Sequence, residues 1–215
     1  MFEFSYKLAG EIVRYAKLIT DAGFTKGTWG NISLRCNELI YITPSGYPYD
    51  ILKPEEIVVV DLSGEKLYGK LNPSSELALH IQIYKSREDV QAIIHTHPVY
   101  STIVSLITNE IPPLVEDGVM ILGECLKVSD YALPGTWELA KNATKALGKN
   151  NCVFLQNHGL VCVGENLQEA FVATQVAEKT AQIYVESLKA GNPRIIPQEH
   201  AKLLREKYLT SYRQK

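Results

Sequence analysis

Leu8, Ile12, Ala16 and Ile19 recur at three- and four-residue spacing, which predicts a first helix ending near residues 21–23. Short apolar runs at 31–35, 39–42 and 57–61 predict strands, separated by turns containing Pro44, Gly46, Pro48 and Gly64. Asn72-Pro73-Ser74-Ser75 signals a helix start, and Leu77, Ile81 and Tyr84 then fall on one helical face. A further apolar run, 90–94, leads into His95-Thr96-His97. Beyond Pro98 another helix is predicted, with Val99, Ile103 and Leu106 spaced for burial. A proline-rich link at 111–113 opens a stretch that carries no clear period as far as Pro134-Gly135. Then come a helix at about 136–147, two strands around His158, and a long helix at about 167–189. The long helix shows Phe171, Thr174, Ala181, Tyr184, Val185 and Leu188. No repeat, low-complexity segment or linker divides the chain. The pattern predicts one α/β domain over residues 1–215, a largely antiparallel sheet covered by helices.

Composition narrows the class. In 215 residues, 46% hydrophobic and 21% charged, there is enough apolar surface for a sizeable core. The formal net charge of -2 argues against nucleic-acid or acidic-membrane binding, so an anionic ligand needs local donors. Residues 1–7 contain no apolar leader core, and no run approaches the length of a spanning helix. Cys36, Cys125, Cys152 and Cys162 lack C-x-x-C spacing; three lie in or beside strand patterns, as buried reduced thiols of a cytoplasmic protein would.

The chemistry starts with the histidines. Successive strand side chains face opposite ways, so His95 and His97 share a face about 6–7 Å apart along the chain. Two imidazoles so placed can converge on one ion, and His158, at the end of another strand, would complete a facial set with open positions. The plainer reading is of hydrogen-bonded strand-end histidines. His80, inside a helix pattern, reads as a packing residue and His200 as solvated.

Residues 72–76 offer free N–H groups and two hydroxyls at a helix N-terminus, which is either simple capping or an anion site. Glu76, kept ionised by the helix dipole and any nearby dication, is a candidate general base or a solvent-facing first-turn residue. Gly30-Asn31 and Thr43-Pro44-Ser45-Gly46 fit the same anion. No G-x-x-x-x-G-K-[ST] loop, no G-x-G-x-x-G after a strand and no G-x-S-x-G elbow is present. Kinases, ATPases, dinucleotide oxidoreductases and serine hydrolases therefore drop away.

Gly30-Asn31-Ile32-Ser33, Thr43-Pro44-Ser45-Gly46, Ser74-Ser75-Glu76, His95-Thr96-His97 and Asn157-His158-Gly159 occur together, in this order. In that combination the chain resembles the class II aldolase/adducin family over about residues 5–190, and within it the sugar-phosphate aldolases. The resemblance implies a three-layer α/β/α domain, usually a homotetramer with active sites between subunits. It implies zinc, or sometimes manganese or cobalt, on His95, His97 and His158. Glu76 matches the family's acid/base, which can also sit on the metal at rest. Gly30, Asn31, Thr43, Ser45, Gly46, Ser74 and Ser75 fall where relatives bind a substrate phosphate.

The implied reaction is cleavage of a ketose 1-phosphate, of the L-fuculose or 5-deoxyribulose type, to dihydroxyacetone phosphate and a small aldehyde. Ribulose-phosphate 4-epimerase and methylthioribulose-1-phosphate dehydratase stay open as activities of the same scaffold, although the epimerases carry Asp where Glu76 stands. An adducin-like binding module is the non-catalytic alternative. One departure concerns the substrate: Glu116 stands where the family has an active-site tyrosine from a neighbouring subunit. Tyr208 and Tyr212 are candidates for the family's tail tyrosine.

Overall fold

Ser5 starts the first helix, its hydroxyl accepting the Leu8 N–H, and α1 (Tyr6–Asp21) buries Ala9, Ile12, Val13, Tyr15, Ala16 and Ile19. The structure, a computed structural model, describes residues 3–212; Met1 and Phe2 of the leader reading lie outside the described residues. After α1 come β1 (Asn31–Cys36), β2 (Leu39–Ile42), β3 (Val58–Asp61), β4 (Lys66–Tyr68) and α2 (Leu77–Ser86). Next are β5 (Ala92–Thr96), α3 (Val99–Ile107), β6 (Glu110–Ile111), α4 (Glu116–Leu122) and β7 (Leu126–Ser129). The chain continues through α5 (Trp137–Leu147), β8 (Cys152–Leu155), β9 (Gly159–Gly164), α6 (Leu167–Ala190) and α7 (Gln198–Lys207).

The nine strands form one sheet in the order β4-β3-β2-β1-β5-β9-β8-β7-β6. Every pairing is antiparallel except β7 with β8. Strand alternation sorts the apolar side chains into two layers. Ile40, Ile42, Val58, Val60, Ile93, Val161 and Val163 pack beneath α2 and α5. Ile32, Leu34, Tyr41, Val59, Ala92 and Ile94 pack beneath α1 and the start of α6. Cys152, Phe154, Leu160 and Cys162 pack with α3, α4 and α6 on that second face. Helices on both faces make the three-layer α/β/α arrangement.

Three expectations are corrected. The Asn72–Ser75 signal does not cap a helix directly: α2 begins at Leu77 with Glu76 at the cap position, while the Ser74 hydroxyl accepts the Glu76 N–H in the preceding turn. In α3 the buried residues are Ser101, Val104 and Ser105, whereas Val99 and Leu106 are 63% and 56% exposed and Ile103 is only partly covered. The cause is Glu178 of α6, which accepts the Tyr100 and Ser101 N–H groups and the Ser101 hydroxyl, each at 2.8 Å. Satisfying that carboxylate turns the polar side of α3 inward. Finally, 110–129 contains β6, α4 and β7, where apolar spacing carried no period. No helix among the described residues is long and apolar enough to cross a membrane.

Candidate active site

β5 lies centrally, between β1 and β9, and delivers His95 on the face covered by α2. His97 follows one step beyond the strand, its N–H donated to the Phe24 carbonyl. His158 comes from the β8–β9 turn. There Asn157 takes a left-handed φ of 56°, which Asn tolerates better than most residues, and the His158 N–H bonds the Leu155 carbonyl. At Gly159 a Cβ would lie 2.6 Å from both the Thr96 oxygen and His97 Cδ2, so only glycine lets β9 pass here. Gly30 (φ +127°) is equally constrained, with Thr25 and the His95 carbonyl within 3.0 Å of any added Cβ.

The three rings meet edge to face, with centroids 4.7, 4.8 and 4.9 Å apart. One ring nitrogen from each of His95, His97 and His158 lies within 4.8 Å of the others. Glu76, at the mouth of α2, joins them: Oε2 is 2.9 Å from His95 Nε2, and Oε1 is 3.6 Å from His158 Nε2. The His97 and His95 Nε2 atoms face each other at 2.9 Å. Glu76 Oε1 and His158 Nδ1 are buried without hydrogen-bond partners.

Electrostatics follow from that crowding. Burial alone would push the Glu76 carboxyl up, but the charge and hydrogen bond of His95, then His158 and the Asn31 amide, hold it below the usual carboxylate range. Burial opposes a proton on His95, and the charge and hydrogen bond of Glu76 outweigh it, so its affinity for a proton is raised. Burial first, then positive charge on His95, takes His97 down to about 3 and His158 to about 4. The pocket holds one negative charge and favours one positive charge at its centre. A divalent cation meets that demand where protons on three imidazoles cannot, and imidazole with carboxylate is a donor set suited to zinc. The residues present fit the metal.

The three candidate phosphate loops are knitted together. Ser45 N–H bonds the Asn72 carbonyl, Ser74 N–H bonds the Thr43 carbonyl, and Tyr49 donates to the Gly30 carbonyl. The Thr43 hydroxyl is fully buried and accepts the Ile32 N–H, which makes it a brace within the loops. Ser45, Gly46 and Ser75 are exposed, Gly30 is half-buried and Ser74 is buried. The Asn31 amide is committed, donating to Glu76 Oε2 at 3.1 Å while its oxygen faces His80.

His80 is not the plain packing residue its helical position predicts. It is fully buried and hydrogen-bonded to Asn31 and Ser33. The signal was the coincidence of Glu76, His80 and Tyr84 at i, i+4, i+8 with Asn31 and Ser33 at i, i+2. Trp29, 68% exposed, stands beside His97 with ring centroids 6.2 Å apart, another residue the motif spacing passes over. Glu116 is exposed in a groove of about 890 Å³ between α4 and α7, beside Asp117, His200 and Lys207. Tyr208 and Tyr212 form a π-helical turn after α7, with rings 6.1 Å apart. His200 is exposed, as expected.

Comparison with known proteins gives the same direction. The family description "Class II Aldolase and Adducin N-terminal domain" matches residues 10–185. A 5-deoxy-D-ribulose 1-phosphate aldolase of Bacillus thuringiensis serovar kurstaki is 36% identical over 200 residues, covering 92% of this chain and 93% of the relative. The L-fuculose phosphate aldolase of Escherichia coli (strain K12) is 35% identical over 205 residues, 95% of each chain. A solved L-fuculose 1-phosphate aldolase superposes with a TM-score of 0.92 at 35% identity, covering 95% of this chain and 97% of that one.

Proposed function

We propose, given that the chain belongs to the class II aldolase and adducin family, a site and mechanism for a metal-dependent lyase that cleaves ketose 1-phosphates to dihydroxyacetone phosphate and a small aldehyde. The observation that carries this reading is the convergence of three imidazoles with Glu76 against two of them, His95 and His158. His95, His97 and His158 hold the ion, with Glu76 able to join them at rest; zinc is the proposed metal, and manganese or cobalt would be alternatives. When bound, it supplies Lewis-acid stabilisation of the negative charge that develops on the dihydroxyacetone phosphate fragment.

The protein's own groups do the rest. As the C3–C4 bond breaks, the C4 hydroxyl passes its proton to solvent and becomes the aldehyde. Glu76, after taking a proton from solvent, delivers it to C3 of the departing fragment; in synthesis the carboxylate removes the same proton. Proton transfer of this kind contributes about 10²–10⁴-fold. The loops carrying Gly30, Asn31, Thr43, Ser45, Gly46, Ser74 and Ser75 hold the phosphate and so set C3 against Glu76, binding energy remote from the reacting bond.

We assign the activity to one catalytic domain in a cytoplasmic homotetramer. Its four cysteines are all free thiols, in keeping with a reducing compartment. The exposed Val99, Leu106 and Ile107 of α3 give subunits an apolar surface to share. Glu116 shares its groove with none of the three imidazoles, which suits a residue serving a neighbouring subunit's site. The test is a panel of ketose 1-phosphates, with L-fuculose and 5-deoxyribulose 1-phosphates first, run with added zinc, manganese or cobalt. Aldehyde release supports the reading. An epimerised pentulose phosphate or a dehydrated product without aldehyde would move the chain to another activity of the scaffold.

A further inference from the structure

Glu76, His80 and Tyr84 project from one side of α2, and Asn31 and Ser33 from one face of β1. Four residues of helix advance about 6 Å and two residues of strand about 6.6 Å, so the two rows stay in step and interdigitate. The result is a buried polar chain. Tyr84 Oη and Ser33 Oγ are 2.7 Å apart, Ser33 Oγ and His80 Nδ1 are 2.6 Å apart, and His80 Nε2 meets the Asn31 oxygen. The Asn31 Nδ2 donates to Glu76 Oε2. All five residues are buried, and His80 and Tyr84 completely so.

The chain has one direction. An ionised Glu76 only accepts, so Asn31 must turn its NH₂ toward it and its oxygen toward His80. His80 must then carry its hydrogen on Nε2. Its bare Nδ1 accepts from the Ser33 hydroxyl, whose oxygen accepts in turn from Tyr84. Burial, with the positive charge on His95 adding to it, takes His80 down to about 3, which keeps the ring neutral as this pattern requires.

We infer that His80 is a positioning residue for the lyase reaction: through Ser33 and Asn31 it locks Oε2 of Glu76 as an acceptor and leaves Oε1 the free oxygen of that carboxylate. Without the His80 N–H, the Asn31 oxygen loses its donor, and the amide is held in place by the carboxylate alone. An amide held at one end only sways, and Oε2 of Glu76 loses its fixed donor. The inference rests on Glu76 acting in the proposed reaction, but its hydrogen-bond direction does not.

Two measurements test it separately. Nitrogen-15 NMR of the histidines in the intact protein should show His80 as the neutral Nε2–H tautomer; an Nδ1–H tautomer overturns the chain, whatever the protein catalyses. Kinetics come second. His80→Leu should lower kcat roughly 10- to 100-fold with metal content and KM unchanged. His80→Gln, which offers an N–H to Asn31 and an oxygen to Ser33, should restore most of that loss. In an Asn31→Leu background, His80→Leu should cost less than twofold more, because its route to Glu76 is already cut. Equal losses in the Leu and Gln variants, or losses that multiply in the double variant, would overturn it. Should His80→Leu not fold, Ser33→Ala replaces it, with a kcat loss at constant KM expected and an unchanged kcat contradicting the inference. A wild-type protein that cleaves no ketose phosphate, with the Nε2–H tautomer intact, would sink the proposed function and spare the chain.

Discussion

His95 donates its Nδ1 hydrogen to the Leu160 carbonyl, 2.9 Å away on the neighbouring strand, and this fixes which nitrogen faces Glu76. Because His95 and Leu160 sit on paired strands, β5 and β9, the sheet itself sets the ring's tautomer and tilt. Orientation of a ligand imidazole by a backbone carbonyl is a common device in metal sites and raises the basicity of the other nitrogen.

Metal dependence follows from that orientation. Dialysis against a chelator should abolish aldehyde release, and one equivalent of a divalent ion per subunit should restore it. An ion bound only by the folded chain also stabilises it, by about 2.7 kcal/mol at a hundredfold excess over Kd. Thermal denaturation with and without metal reads this, and identical curves would argue against a site formed by His95, His97 and His158.

His97→Ala removes one of the three imidazoles and should lose both the ion and the activity. Metal analysis of the purified variant decides it. Full turnover in His97→Ala would contradict the ligand assignment.

Glu76→Gln should keep the ion on the three histidines while cleavage falls by about 10²–10⁴-fold. Exchange of the carbon-bound hydrogen of dihydroxyacetone phosphate with solvent should cease. Retained exchange would remove Glu76 from its role.

Gly159→Ala places a methyl group 2.6 Å from the Thr96 oxygen, a backbone atom that cannot swing aside, and equally close to His97. Overpacking of this kind costs about 1–3 kcal/mol. We expect a lowered Tm together with weakened metal binding. Unchanged metal affinity would show that His97 tolerates the push.

Acid should destabilise the metal-free protein in a defined window. His80, His97 and His158 have folded values of about 3, 3 and 4, against 6.5 when unfolded. Their burial as neutral rings is therefore fully compatible with folding above pH 6.5. Below it the unfolded chain takes up protons that the native state refuses, and stability falls toward pH 4 by about 1.4 kcal/mol per pH unit for each proton. His80→Gln should flatten the dependence of Tm on pH across this range.

Much of this architecture was legible from spacing because strands and helices expose their periods. The helical stripe of α1, the strands β1, β2 and β3, the span of α5 and the length of α6 all follow from where apolar residues recur. The grouping of His95 and His97 followed from strand alternation, but the arrival of His158 beside them depends on β9 pairing with β5, a contact no local pattern encodes. The inward face of α3 is not legible from its own spacing, because the group it turns toward, Glu178, lies 77 to 78 residues away in sequence on α6. His80 was misread because a buried polar residue and an apolar one occupy the same helical position, and only the partner strand tells them apart. The pairing of the Asn31 amide with Glu76 and His80 is likewise set by the packing of α2 on β1, which no local motif encodes.

The place of β5 in the sheet carries one last consequence. Fraying of a sheet begins at its margins, and here these are β4 and β6, three and two residues long. The strand that bears His95 and leads directly into His97 lies four strands in from either margin. Its amides should be among the slowest to exchange with deuterium, so the chemistry sits on the part of the molecule that is the last to let go.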